Sequence, residues 1–171
     1  VTPDVKMHGI ITKGGVAANI VPDEAVADFY FRASTKERVT EVIEKVKKIA
    51  EGAALMTGAT LEMERYELPY DDLKTNEKLS EMFNENLRAL GITDINPGKA
   101  TGGSSDIGNV SHVAPTIHPY IGITDCPMVG HSVEMAKATT TNKAHDRLLI
   151  AALAMAYTGY DVIVRNESLR S

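Results

Sequence analysis

The residues best suited to chemistry fall in residues 101–123, TGGSSDIGNVSHVAPTIHPYIGI, and in the stretch MVGHSVEM that follows. The first offers glycines, two serines and an aspartate at the start of a predicted short helix, where backbone N–H groups and hydroxyls can meet an anion. An equally direct reading makes Ser105 or Asp106 the cap of that helix. A phosphate-binding G-K-[ST] and a nucleophile elbow G-x-S-x-G are both absent. His131 follows Gly130 in a loop and precedes a helical stretch. Such a histidine suits a metal ligand or an acid–base group, and context alone leaves open that it is a plain loop residue.

The other histidines point less clearly to chemistry. His8 is read as a half-exposed strand residue beside Gly9, and His112 and His145 as surface residues on helical turns. His118, before Pro119 in a strand-like run, is balanced between a buried structural role and a ligand. A hydrolytic zinc site needs three protein ligands, and a two-metal site needs more. The chain has no H-x-x-x-H, no H-x-D and no Glu-Glu pair. Asn19, in a loop bounded by Gly and Pro, and Arg32, at the end of an aromatic strand, form the remaining pair of interest. Arginine is the preferred carboxylate binder because its planar fork donates two parallel hydrogen bonds. A turn asparagine and a solvated strand-end arginine are the plainer alternative.

These residues must be held by elements, and the sequence lays those out. Residues 6–12 and 24–33 are strand-like, joined by the Gly-rich loop 14–23. From Thr35 to Gly58, Val39, Val42, Ile43, Val46, Ile49, Ala50 and Ala53 recur at helical spacing. Residues 59–66, ATLEMERY, alternate apolar and charged and predict a third strand. A linker around Pro69 leads to a helix capped by Thr75 and stopped by Gly91, and a last helix runs from about Asn142 to Val164. The first part therefore reads β-β-α-β, an α+β sheet one strand and one helix short of a ferredoxin-like unit.

The chain has 171 residues, 43% of them hydrophobic, and a formal net charge of −5. A domain of this size can bury roughly two-thirds of its unfolded surface. The mild acidity, without a basic patch interleaved with aromatics, argues against nucleic acid. Cys126 is the only cysteine, so no internal disulfide forms, and a reducing, cytoplasmic setting is expected. No uninterrupted apolar run approaches the roughly 18 residues of a membrane span, so no membrane partner is expected. The N-terminus lacks a signal pattern, and a start at Val1 straight into a strand predicts a fragment or processed chain.

Taken together, GIITKGGVAANIVPDEAVADFYFRA, TGGSSDIGNVSHVAPTIHPYIGI and GHSVEM resemble three signatures of the M20 family of metal-dependent peptidases and amidohydrolases. The likeness is to the branch of aminobenzoyl-glutamate and N-acyl-amino-acid hydrolases, and covers nearly the whole chain. The resemblance implies that residues 1–68 are most of a lid or dimerisation domain, and residues 72–171 the C-terminal half of an α/β metallohydrolase catalytic domain. It implies that His131 is the last ligand of a two-metal site, usually zinc and sometimes manganese or cobalt. Asn19 and Arg32 would grip the carboxylate and neighbouring groups of a small N-acyl-amino-acid or dipeptide substrate. Gly102, Gly103, Ser104 and Ser105 would line its pocket, with Asp106 anchoring that loop. The family's H-x-D pair, bridging Asp, adjacent Glu residues and lid histidine are not in this chain. The expectation is a C-terminal portion that lacks catalytic residues of its own, holds no metal tightly and is inactive alone. Self-association through the lid is expected. A non-catalytic dimerisation module, or a half-enzyme completed by a separate N-terminal chain, are the alternatives.

Overall fold

The computed structural model describes residues 2–98, 103–165 and 169, in two compact units, Val1–Asp72 and Leu73–Ser171. In the first unit, β1 (Lys6–Lys13) and β2 (Val26–Arg32) pair antiparallel, from Lys6 opposite Arg32 to Lys13 opposite Val26. An irregularity between Ile11 and Lys13 ends the regular ladder. An ion pair between Lys13 and Glu24 closes the base of the connecting loop. Gly9 sits opposite Phe29, and a Cβ there would fall 2.5 Å from the Phe29 ring. The glycine is what lets that ring lie across the hairpin.

Helix α1 (Lys36–Thr57) starts where Thr35, in extended conformation, accepts the Arg38 N–H at 3.2 Å on its hydroxyl. It stops at Gly58, whose φ of 70° a side chain would resist, and whose N–H donates to the Ala54 carbonyl. Of the predicted apolar stripe, Val39, Val42, Ile43, Val46 and Ala50 are half-buried, but Ile49 and Ala53 are exposed. The Asp72 carboxylate accepts the Lys36 N–H at 2.9 Å, tying the returning chain to the start of the helix.

The third strand expected at 59–66 does not form: these residues run without a ladder, and Leu61 and Met63 are exposed. Alternating composition supplies two faces, but a strand also needs a backbone partner along its edge. None of the described residues pairs with this stretch. The order is therefore β-β-α rather than β-β-α-β, within the α+β class expected.

The second unit is built on α2 (Glu77–Ala89) and α5 (Asn142–Arg165), with the short α3 (Ile107–Ser111) and α4 (Val133–Ala138) between them. Asn76, not Thr75, caps α2, accepting the Leu79 N–H at 2.9 Å. Gly91, at φ 87°, follows its end. Phe83 and Leu87 of α2 close on Ala154 of α5, ringed by Leu90, Ile92, Ile95, Ile117, Ile121 and Ile150. Asn86 locks the same pair of helices, donating to Thr158 at 3.2 Å and Asp161 at 2.9 Å. The strand-like run around His118 forms only an isolated bridge between Thr75 and Thr116.

Two expectations from composition change here. Helix α5 has a mean hydropathy of 1.5 over an 18-residue window, long and apolar enough by composition to cross a membrane. Tyr, Thr and Gly interrupt its apolar run, which hid this average from a search for unbroken stretches. The core is also thin: its buried apolar residues are Val5, Met82, Phe83, Leu87, Ala138, Ala144 and Ala154 among those described.

Candidate functional site

Side chains alternate across a strand, so Lys6 and His8 of β1 share one face of the hairpin with Tyr30 and Arg32 of β2. Arg32 stands opposite Lys6, and Tyr30 opposite His8. His8, Tyr30 and Arg32 line an open depression of about 350 Å³ on that face. The Tyr30 ring is met edge-on by Tyr66, with centroids 5.7 Å apart. Its hydroxyl hydrogen-bonds Glu67, whose carboxylate holds the phenol proton well above the usual tyrosine range. Burial and Tyr66 push in the same direction.

Asn19 lies in the exposed connecting loop, beyond the Lys13–Val26 end of the hairpin. Arg32 is at the other end of β2, and a seven-residue strand spans roughly 20 Å. The hairpin thus separates the two residues that the sequence grouped together. A second depression, of about 290 Å³, is lined by Lys13, Gly15, Val16 and residues 20–24 of that loop.

In the second unit, Gly103 and Ser104 are exposed in the segment before α3, while Gly102 lies outside the described residues. Ser105 accepts the Ile107 N–H at 3.3 Å. Asp106 occupies the cap position of α3 without a side-chain capping bond, so the serine satisfies that turn. His131 is exposed, in the turn before α4, where Ser132 caps the helix by accepting the Met135 N–H at 3.1 Å. Among the described residues His131 is the one non-glycine with a left-handed backbone, at φ 56°. Such a conformation costs of the order of 1 kcal/mol and concentrates at functional sites. His118 is stacked obliquely on Tyr120, 5.2 Å between centroids.

No group of three His, Cys, Asp or Glu side chains among the described residues is arranged to hold a metal ion. These donors therefore do not fit a two-metal centre by themselves. Sequence reasoning gave His8 only a half-exposed strand role and did not single out Tyr30, Tyr66 or Glu67. The register signal was present, because His8 and Tyr30 stand two residues from Lys6 and Arg32 on paired strands.

Residues 6–57, which hold the β-hairpin and α1, match the peptidase dimerisation domain. The similarity extends well beyond that module. Over 170 residues the chain is 35% identical to the Xaa-Arg dipeptidase of Homo sapiens, covering 98% of this chain and 39% of that protein. To the Xaa-Arg dipeptidase of Mus musculus it is 35% identical over 167 residues, covering 95% of this chain and 38% of that protein. It is 24% identical over 221 residues to one of the subunits of p-aminobenzoyl-glutamate hydrolase from Escherichia coli (strain K12), covering 95% and 45% respectively. Residues 6–57 carry the dimerisation domain of the M20 family, and the relatives matched over nearly the whole chain are peptidases and amidohydrolases of that family. The chain spans less than half the length of these relatives.

Proposed function

We propose that these 171 residues form the lid, with part of the catalytic domain, of a metal-dependent amidohydrolase or peptidase that acts on a small N-acyl-amino acid or dipeptide. The lid is a partial ferredoxin-like unit in residues 1–68, and the catalytic portion is residues 72–171. The observation that carries the reading is Arg32 in the depression it lines with His8 and Tyr30. There its guanidinium takes the ligand's carboxylate. Asn19, far along the hairpin, serves a separate contact. Gly102, Gly103, Ser104 and Ser105 line the substrate pocket from the catalytic portion.

His131 supplies one ligand of a metal site, zinc being the first candidate and manganese or cobalt the others, and the remaining ligands come from elsewhere. The strained backbone at His131 supports this role. Because the described donors do not complete a centre, the part derived for this chain is binding and orientation. Hydrolysis is left to residues beyond these.

The purified 171-residue chain, given zinc, manganese or cobalt, is expected to hydrolyse neither dipeptides nor N-acyl-amino acids. Metal-dependent release of an amino acid by this chain would overturn the reading. A non-catalytic dimerisation module is the second reading, favoured by a sheet of only two strands among the described residues.

A further inference from the structure

Helix α5 reverses the usual pattern of a surface helix. Such a helix buries its apolar stripe against the core and sends its charges to water. Here the charges turn toward the neighbouring helix: Asp161 accepts from Asn86 of α2 at 2.9 Å, and Arg165 donates to Glu85 of α2 at 3.2 Å. The side away from α2 holds Leu149, Leu153, Ala156, Tyr160 and Ile163, all exposed. Their alternating spacing of four and three residues keeps them on one stripe, the pattern that packs against a further element. From Leu148 to Tyr160 no charged residue interrupts the helix, and only Ala154 and Thr158 of that stretch are buried.

A helix apolar on all sides is buried in one of two settings, a bilayer or a protein core. The charge-free run of 13 residues is roughly 20 Å long at helical rise, against roughly 30 Å of hydrocarbon in a bilayer. Spanning would therefore carry Arg147 or Asp161 into lipid, at a cost that a protein neighbour does not impose. Ala156 and Gly159 add a second argument. They lie on the outward side, where small side chains let another backbone approach closely.

We propose that the outward face of α5 is the surface on which further polypeptide of the same hydrolase packs, namely the stretch that the relatives carry outside the matched region. That stretch is more than half of each relative. The proposal rests on the reading of residues 72–171 as part of a larger catalytic domain, and it names the surface that joins this part to the rest. The slightness of the core agrees with it. The buried cluster between α2 and α5 is Phe83, Leu87 and Ala154, and it lies on one side of α5. A layer on the other side would enclose the helix.

The test places the photo-crosslinking residue p-benzoylphenylalanine at Leu149 or at Ile163 in the gene that carries this sequence, with its own reading frame intact. Both positions are exposed, so the chain's own packing should tolerate them, and an unchanged helical circular-dichroism signal verifies this on the 171-residue chain. After irradiation of the cells, mass spectrometry of the crosslinked peptide identifies what covers the face. Both positions should join to a peptide outside these 171 residues that aligns with the unmatched part of the Xaa-Arg dipeptidases, in the same chain or in a separate one. A crosslink to residues 1–171, in the same copy or a second one, overturns the proposal, as does a lipid adduct or an unrelated protein. No crosslink at either position, with the helical signal intact, leaves the face in water and overturns it too. None of these results bears on Arg32 or on hydrolysis, which the metal-dependent assay decides separately.

Discussion

Glu67 determines how Tyr30 titrates, and the sign of that effect can be followed through to stability. The phenol hydrogen-bonds a carboxylate, so ionising it would set two negative charges together, and its pKa is raised above the ordinary phenol value near 10. A group whose folded pKa is raised contributes stability that is complete below its unfolded pKa. That contribution is lost as pH climbs from there through the folded value. The window is therefore alkaline, starting near pH 10. In an ultraviolet titration of the six tyrosines, one should ionise after the rest. Tyr30→Phe should remove that late step, and Glu67→Gln should return it to the others. A single step in the unmodified chain would mean that the Tyr30–Glu67 bond does not persist in solution. The bond was invisible to sequence reading, because residues 30 and 67 lie on different segments and nothing in their spacing announces the contact.

At the scale of elements, the two units rest on different devices and should fail separately. Thr35→Ala removes the side-chain cap of α1 and should cost about 1 kcal/mol, felt in the first unit. Phe83→Ala empties the centre of the α2–α5 contact and should cost about 3–5 kcal/mol, felt in the second. Hydrogen exchange resolved by segment checks this. Loss of protection in both units from either change would show that they unfold as one. The same comparison explains what was legible in the sequence. Helix ends were readable within a residue or two, because Thr35, Gly58 and Gly91 act locally through capping and left-handed backbone. The hairpin was readable because its two strands are neighbours in sequence. Residues 59–66 were misread because a strand depends on a partner, which no local pattern contains. Arg32 was singled out by its residue type. The residues that share its strand face were not, since their position depends on the pairing register.

For the whole molecule, exposed apolar surface carries the argument. Apolar groups stand exposed in both units. Ile10 and Ile11 of β1 are 65% and 75% exposed, and Leu149 and Ile163 of α5 are 64% and 78%. Surface of that kind leaves water when a partner offers a matching face. Residues 6–57 match a dimerisation domain, and a two-stranded sheet among the described residues favours association through its edges. We therefore expect the chain to self-associate, with the hairpin carrying the contact. Sedimentation velocity over a range of concentrations should give a mass above 18.5 kDa that falls on dilution. Ile11→Lys should shift that equilibrium toward the single chain, while Leu149→Glu should leave it unchanged. The opposite pattern would assign association to α5 instead. A mass that stays at one chain at every concentration would mean that neither exposed surface drives association between copies.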